Sequence, residues 1–254
     1  LFRSEREIFE QLHIQPLGHP WLKPVRFPGR TNDSAQAIGI MDFFQVKSES
    51  MHQVAVGPVH AGVIEPGHFR FQCHGEIVQH LEISLGYQHR GVEENLVGGP
   101  NKKSLALLET VAGDTSIGHA PAYCMAVEAL AGVRVSGHSQ MIRAIALELE
   151  RLANHIGDLG ALAGDVGFLP TSAQCGAIRG DFLNMSALLC GSRLGRTLLM
   201  PGGVGHDLEP ERSGELKKRL DKGLEAVTTA VELMWDSTTV LSRFENTGVV
   251  QQQD

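Results

Sequence analysis

Six histidines stand between residues 52 and 89, at His52, His60, His68, His74, His80 and His89. Imidazole exchanges protons near neutral pH and is a common metal ligand. None of the six, however, has the H-x-H or H-x-x-x-H spacing that brings two rings onto one ion, so strand and turn histidines are expected here rather than a zinc site. Overlapping the last of them, the run Tyr87 to Glu94, YQHRGVEE, gathers the imidazole of His89, the guanidinium of Arg90 and the carboxylates of Glu93 and Glu94. Taken alone, it reads as a solvated helix start in which the acids offset Arg90 with little gain in stability. A third polar group consists of Asp114, Thr115, Ser116 and His119, where Asp114 or Thr115 can cap a helix carrying Tyr123 and Glu128. Cys73, Cys124, Cys175 and Cys190 contain no C-x-x-C pair. They read as buried small residues of a reducing compartment, and no iron–sulfur cluster is expected on them.

These groups need elements to position them. Pro16, Pro20, Pro24 and Pro28, with Gly18 and Gly29, make residues 14–33 an extended connector that cannot be helical, and the best boundary candidate. From residue 35 to about 84, short runs separated by Gly and Pro predict an antiparallel β layer. They include Gly39 to Phe44, Gln53 to Val56, His68 to Cys73 and Ile77-Val78, with turns near Gly57-Pro58 and Cys73 to Glu76. Beyond Tyr87 the period becomes helical. Met141, Ile142, Ile145, Leu149, Leu152, Ile156, Leu159 and Ala163 trace one face of a helix over 140–163, with Ser136 or Ser139 as its cap. A second helix is predicted over 173–200, ended by Pro201-Gly202-Gly203. A third is predicted over 211–243, with Leu216, Leu220, Leu224, Val227, Val231, Met234 and Leu241 inward.

A chain of 254 residues that is 42% hydrophobic can bury a substantial core. A net charge of -7 and a pI of about 5.9 argue against nucleic acid as ligand. The longest uncharged stretches, Thr115 to Val127 and Phe182 to Ser192, fall short of the ~20 residues of a bilayer span. With no secretory signal visible, the cytoplasm is the default compartment.

Several runs together resemble a known family in the family's own order: Val56-Gly57-Pro58-Val59-His60, Glu65-Pro66, Gly86 to Glu93, Leu108 to Leu130, Glu150 to His155 and Pro201 to Val204. The family is that of the large subunits of membrane-bound nickel–iron hydrogenases, with the homologous quinone-site large subunit of respiratory complex I. In the hydrogenases a motif R-x-C-G-x-C-x-x-x-H supplies two nickel-binding thiolates. On this chain its arginine falls on Thr110, its cysteines fall on Ala112 and Thr115, and only Gly113 and His119 remain. A methyl and a hydroxyl cannot replace thiolates on nickel or iron, so no metal is expected.

The resemblance implies a mainly helical bundle with a small N-terminal antiparallel β layer, like the hydrogenase large subunit. Residues 1–33 would be the tail of a fused accessory domain plus connector, and 34–254 the N-terminal portion of the large-subunit domain. His60 matches the first histidine of the family's GPxHPxxH pattern. The second, implicated in quinone contact, would fall on Ile64, or on His68 if the turn is reshaped; the quinone tyrosine falls on Gly113. The matching group of His89 and Arg90 would lie near the former metal cavity and the iron–sulfur partner. Asp114, Thr115, Ser116 and His119 would line a proton path or a hydrated cavity, or simply cap the helix.

The function implied is that of a subunit of a complex I- or hydrogenase-related oxidoreductase complex at the cytoplasmic, peripheral face of the inner membrane, involved in electron-transfer coupling. No cofactor is expected on this chain itself, with quinone a ligand of the assembled complex. The expected partners are an iron–sulfur small subunit and ion-translocating membrane subunits, and the chain alone would self-associate through exposed apolar surface. The alternatives are a quinone-reducing subunit, using His60 or His68 with Asp114, and a non-catalytic scaffold.

Overall fold

The computed structural model describes residues 2–20, 22, 44–46, 48, 50–60 and 66–249. Their contacts divide the chain into two units, residues 1–90 and 91–254.

In the first unit, helix α1 (Phe2–Leu12) precedes the part of the proline connector that is described. Three strands follow: β1 (His52–Val56), β2 (His68–His74) and β3 (Ile77–Ser84). They form an antiparallel sheet in that order, with Val56 opposite Phe69 and His68 opposite Ser84. The expected turn near Cys73 to Glu76 is a tight one at Gly75-Glu76, where Gly75 takes φ +59, a conformation that glycine adopts without strain. Gly57-Pro58 instead opens a long connection to β2, of which residues 61–65 lie outside the described residues. The strand expected over Gly39 to Phe44 also lies outside them except for Phe44. That residue is gripped through its backbone: its N–H donates to Glu82 Oε2 at 2.6 Å and its carbonyl accepts from Gln72 Nε2 at 2.8 Å.

The second unit begins with two short helices, α2 (Val92–Leu96) and α3 (Ser104–Leu108), then α4 (Ser116–Ala131). The Tyr87 run therefore opens with a turn, and the helix starts only at Val92. Next come α5 (Gly137–Asp165) and α6 (Leu169–Cys190), joined by a short link so that they run antiparallel. The expected cap is present: Ser136 Oγ accepts the Ser139 N–H at 3.1 Å. The expected apolar face is rotated, however. Met141 is 66% exposed, and the buried row is Ile142, Ala146, Leu149, Ala153, Ile156, Gly160 and Ala163. Small residues seven apart (Ala146, Ala153, Gly160) turn inward because they allow α6 to approach closely. On α6 the facing row is Cys175, Ile178, Phe182, Met185 and Leu189, with the alternating steps of three and four of a packed helix pair.

Helix α6 stops at Cys190, where Gly191 takes the left-handed conformation at φ +78. Pro201-Gly202-Gly203 therefore ends no helix. It turns a small hairpin of β4 (Leu199–Met200) and β5 (Gly203–Val204). The third helix is broken by Asp236 and Ser237 into α7 (Pro210–Trp235) and α8 (Thr238–Phe244). Leu224, expected inward, is 69% exposed, because its neighbour Gly223 is the residue that meets Phe182. Thr171 Oγ1 donates to the Ala230 carbonyl at 2.9 Å and ties α6 to α7.

One core joins α4 to α7 through Ile117, Cys124, Leu149, Ile156, Met185, Leu189, Leu199 and Leu216. A smaller cluster of Ala163, Met234 and Val240 holds α8. The mainly helical architecture with a small N-terminal antiparallel sheet agrees with the fold expected from the sequence.

Candidate functional site

A helix start leaves backbone N–H groups without intrahelical acceptors. At α4 the N-cap residue is Thr115, yet neither its side chain nor that of Asp114 supplies the cap, contrary to the sequence expectation. The acceptor comes from another helix. Glu150 of α5 takes the Ile117 N–H on Oε2 at 2.6 Å and the Gly118 N–H on Oε1 at 2.7 Å. A Cβ on Gly118 would lie 3.2 Å from Glu150 Oε1 and 2.6 Å from Thr115 Cγ2, so glycine there admits the carboxylate. A negative group at this end also meets the positive pole of the helix dipole. Glu150 is buried, and desolvation, reinforced by the nearby Asp114 charge, raises its carboxyl above the usual range despite the amide hydrogen bonds.

The loop before the helix is held by the same neighbours. The Asp114 carbonyl accepts from Asn154 Nδ2 at 3.1 Å, and its exposed carboxylate lies 3.4 Å from the Arg179 guanidinium. Arg179 in turn lies along Gly157, whose missing side chain leaves room for it: a Cβ there would be 3.1 Å from Arg179 Cδ. Asp114, Ile117, Glu150, Asn154, Arg179 and Arg193 line a small cleft with room for about one water molecule. Upstream, Glu109 is buried and accepts the Thr197 N–H at 2.7 Å.

The far end of α4 carries a second buried carboxylate. Glu128 receives Arg143 NH2 at 2.6 Å and NH1 at 3.1 Å, and also the Gly202 N–H at 2.7 Å. Arg143 also donates from NH2 to the Met200 carbonyl at 2.8 Å and from Nε to the Gly203 carbonyl at 3.1 Å, with NH2 lying 2.8 Å from the latter as well. The pair thus fastens the Pro201-Gly202 turn to α4 and α5. The Arg143 hydrogen bond holds Glu128 below the ordinary carboxylate range.

Of the candidate residues, Asp114 and His119 fall in the second unit, His119 half-buried in the first turn of α4. Ala112 and Thr115 occupy the turn before it, with Thr115 N–H donating to the Ala112 carbonyl at 3.4 Å. His60, His68, His89 and Arg90 fall in the first unit. His89 is half-buried in the turn closed by its N–H to the Gly86 carbonyl, and Arg90 is exposed. His60 and His68 are brought together at the base of the β1–β2 connection. His60 Nε2 bonds the Gly67 carbonyl at 2.9 Å, and His68 Nδ1 bonds the Gly57 carbonyl at 3.2 Å. A carbonyl only accepts, so each ring commits a proton to the backbone, and its second nitrogen in the neutral form is an acceptor.

Sequence reasoning missed Glu150 and Arg179 as site residues. Glu150 had a signal: it stands between Ala146 and Ala153 on the buried row of an amphipathic helix, where a charge needs a partner. Among the described residues no group of three or more His, Cys, Asp or Glu is arranged to hold a metal ion. Nor, among them, is any helix long and apolar enough to cross a membrane.

Known proteins share this sequence and fold. The family described as the respiratory-chain NADH dehydrogenase 49 kDa subunit matches residues 165–254. Hydrogenase-4 component G of Escherichia coli (strain K12) is 31% identical over 98% of this chain and 48% of its own length. An NADH-quinone oxidoreductase subunit of Dehalococcoides mccartyi (strain ATCC BAA-2266) is 30% identical over 82% of this chain and 57% of its own. The chain thus spans about half the length of these relatives. A solved chain of the membrane-bound sulfane sulfur reductase, an archaeal respiratory membrane complex, shares the fold at a TM-score of 0.74 and 20% identity, over 82% of this chain and 56% of that one. The ordered motifs and the helical fold agree with this likeness, which is to hydrogenase subunits and to the 49 kDa subunit of NADH dehydrogenase alike.

Proposed function

We propose that this chain works as a large-subunit component of a membrane-associated oxidoreductase complex of the hydrogenase and NADH-quinone oxidoreductase kind, without a nickel–iron centre of its own at the loop before α4. One observation carries the metal-free part. Where the family's motif has thiolates the chain has Ala112 and Thr115, and the start of α4 is organised by the Glu150 carboxylate. Packing against an iron–sulfur subunit and membrane subunits is supported by exposed apolar side chains on the helices, among them Met125, Leu130 and Met141, which are 63%, 88% and 66% exposed. Association at the cytoplasmic membrane face would then come through those partners.

The quinone-reducing reading has weaker support. In their neutral forms His60 and His68 have already committed their ring protons to Gly67 and Gly57, so neither can donate one to a quinone. The test is affinity purification of the tagged full-length protein from its native membrane. An iron–sulfur subunit and integral membrane subunits should accompany it, with no stoichiometric nickel. About one nickel per chain, or a chain that comes away alone, overturns the proposal.

A further inference from the structure

We propose that Glu150 is a proton-binding site that switches the start of α4: as a carboxylate it holds the Ile117 and Gly118 amides together, and on taking up one proton it loosens its hold on one of them.

The chemistry follows from the lone pairs. An ionised carboxyl offers two acceptor oxygens, and here each takes one amide, at 2.6 and 2.7 Å. Addition of a proton turns one oxygen into a donor. That oxygen faces an N–H, also a donor, and a hydroxyl oxygen without charge is a weaker acceptor than a carboxylate oxygen, so the hydrogen bond to it is weakened. The same turn holds an unused acceptor, since the Ser116 hydroxyl is buried without a hydrogen-bond partner. Protonation therefore loosens the helix start, which directly follows the loop of Ala112 to Thr115.

Access and environment fit a group that changes charge. The cleft beside Glu150 has room for about one water, a route for a proton from solvent. The groups that face it are Asp114 from the loop, Asn154 from α5, Arg179 from α6 and Arg193 from the segment after α6. Of these, Asp114 is the like charge that favours the protonated form, while its own ion pair with Arg179 moderates that push. Burial adds to it, so the carboxyl titrates above the ordinary glutamate range. The inference does not depend on which complex the chain joins. A chain that carried nickel would leave it standing, and its own failure would leave the proposed complex standing.

The test follows the Glu150 carboxyl carbon and the Ile117 and Gly118 amide nitrogens by NMR across pH in the full chain. One titration, shared by all three signals and lying above that of the exposed glutamates, is expected. Exchange of one amide, corrected for its intrinsic pH dependence, should speed up severalfold as Glu150 protonates. Glu150→Gln should abolish this dependence, and Asp114→Asn should move the titration to lower pH. A Glu150 carbon that titrates with the exposed glutamates, or amides indifferent to it, overturns the proposal. That reading comes from the unaltered protein, so it stands even if Glu150→Gln fails to fold.

Discussion

A Cβ on Gly160 would stand 2.9 Å from the Cβ of Cys175, closer than two such carbons approach in folded proteins. The α5–α6 pair is therefore set by a missing side chain, and flanking positions repeat the arrangement. Gly157 receives Arg179, and a Cβ on Gly164 would lie 3.3 Å from Ser172 Oγ. Gly160→Ala should destabilise the protein by about 1–3 kcal/mol through overpacking. Gly176, in α6, has nothing within 4 Å of the point where a Cβ would stand, and should respond with the opposite sign. There alanine stabilises by roughly 0.5–1 kcal/mol, since it limits the unfolded chain. Urea denaturation of both variants checks the pair, and equal responses would contradict the packing.

Removal of one partner from the Glu128–Arg143 pair should be among the most damaging single changes in the second unit. Arg143→Met leaves the Glu128 charge buried with only the Gly202 amide, and leaves the Met200 and Gly203 carbonyls without their donor. A cost of about 3–5 kcal/mol is expected. A denaturation midpoint within experimental error of the unaltered protein would refute the clamp.

The buried carboxylates of Glu128 and Glu150 should act on stability with opposite signs as pH changes. Glu128 is depressed by its hydrogen bond from Arg143, so its contribution is present above the unfolded glutamate value, about pH 4.3, and is lost as pH falls below it. Glu150 is raised by burial, so the folded state binds its proton more tightly than the unfolded state. Its contribution is present below that same value and is lost as pH rises through the higher folded value. In denaturation series from pH 3 to 8, Glu128→Met with Arg143→Met should flatten the acid limb. Glu150→Gln should flatten the decline above about pH 4.3. A variant with the unaltered slope in its own window would remove that residue from the account.

The latch at the base of the β1–β2 connection fixes two opposite tautomers. His60 should carry its proton on Nε2 and His68 on Nδ1, because each of those atoms faces a carbonyl. Nitrogen NMR of the neutral rings distinguishes them directly. The reverse assignment on either ring would show that the latch is not formed. His60→Ala should cost about 1 kcal/mol, the usual net worth of one hydrogen bond.

The sequence by itself determined the elements whose cause is local. Ser136, immediately before α5, caps it, alternating runs pair as β2 and β3, and the helical period begins after Tyr87. It also carried the likeness to hydrogenase and NADH dehydrogenase large subunits, because ordered motifs such as Gly86 to Glu93 and Glu150 to His155 need no geometry to be read. What it did not determine is which face of each helix points inward. Met141 and Leu224 are as apolar as their neighbours, yet both face solvent, since the inner row is chosen by how closely a second helix can approach. Gly160, with no side chain to count as apolar, holds a buried position for that reason. The helix expected to run through to Pro201 ends at Gly191, where a left-handed residue lets the chain leave and form the hairpin gripped by Arg143. The site itself belonged to the tertiary structure most of all. Asp114 and Thr115 sit where a local cap would be, but the acceptor of the Ile117 and Gly118 amides lies more than thirty residues away on α5. A hydrogen bond of that kind is decided by the packing of two helices, and no pattern along the chain records it.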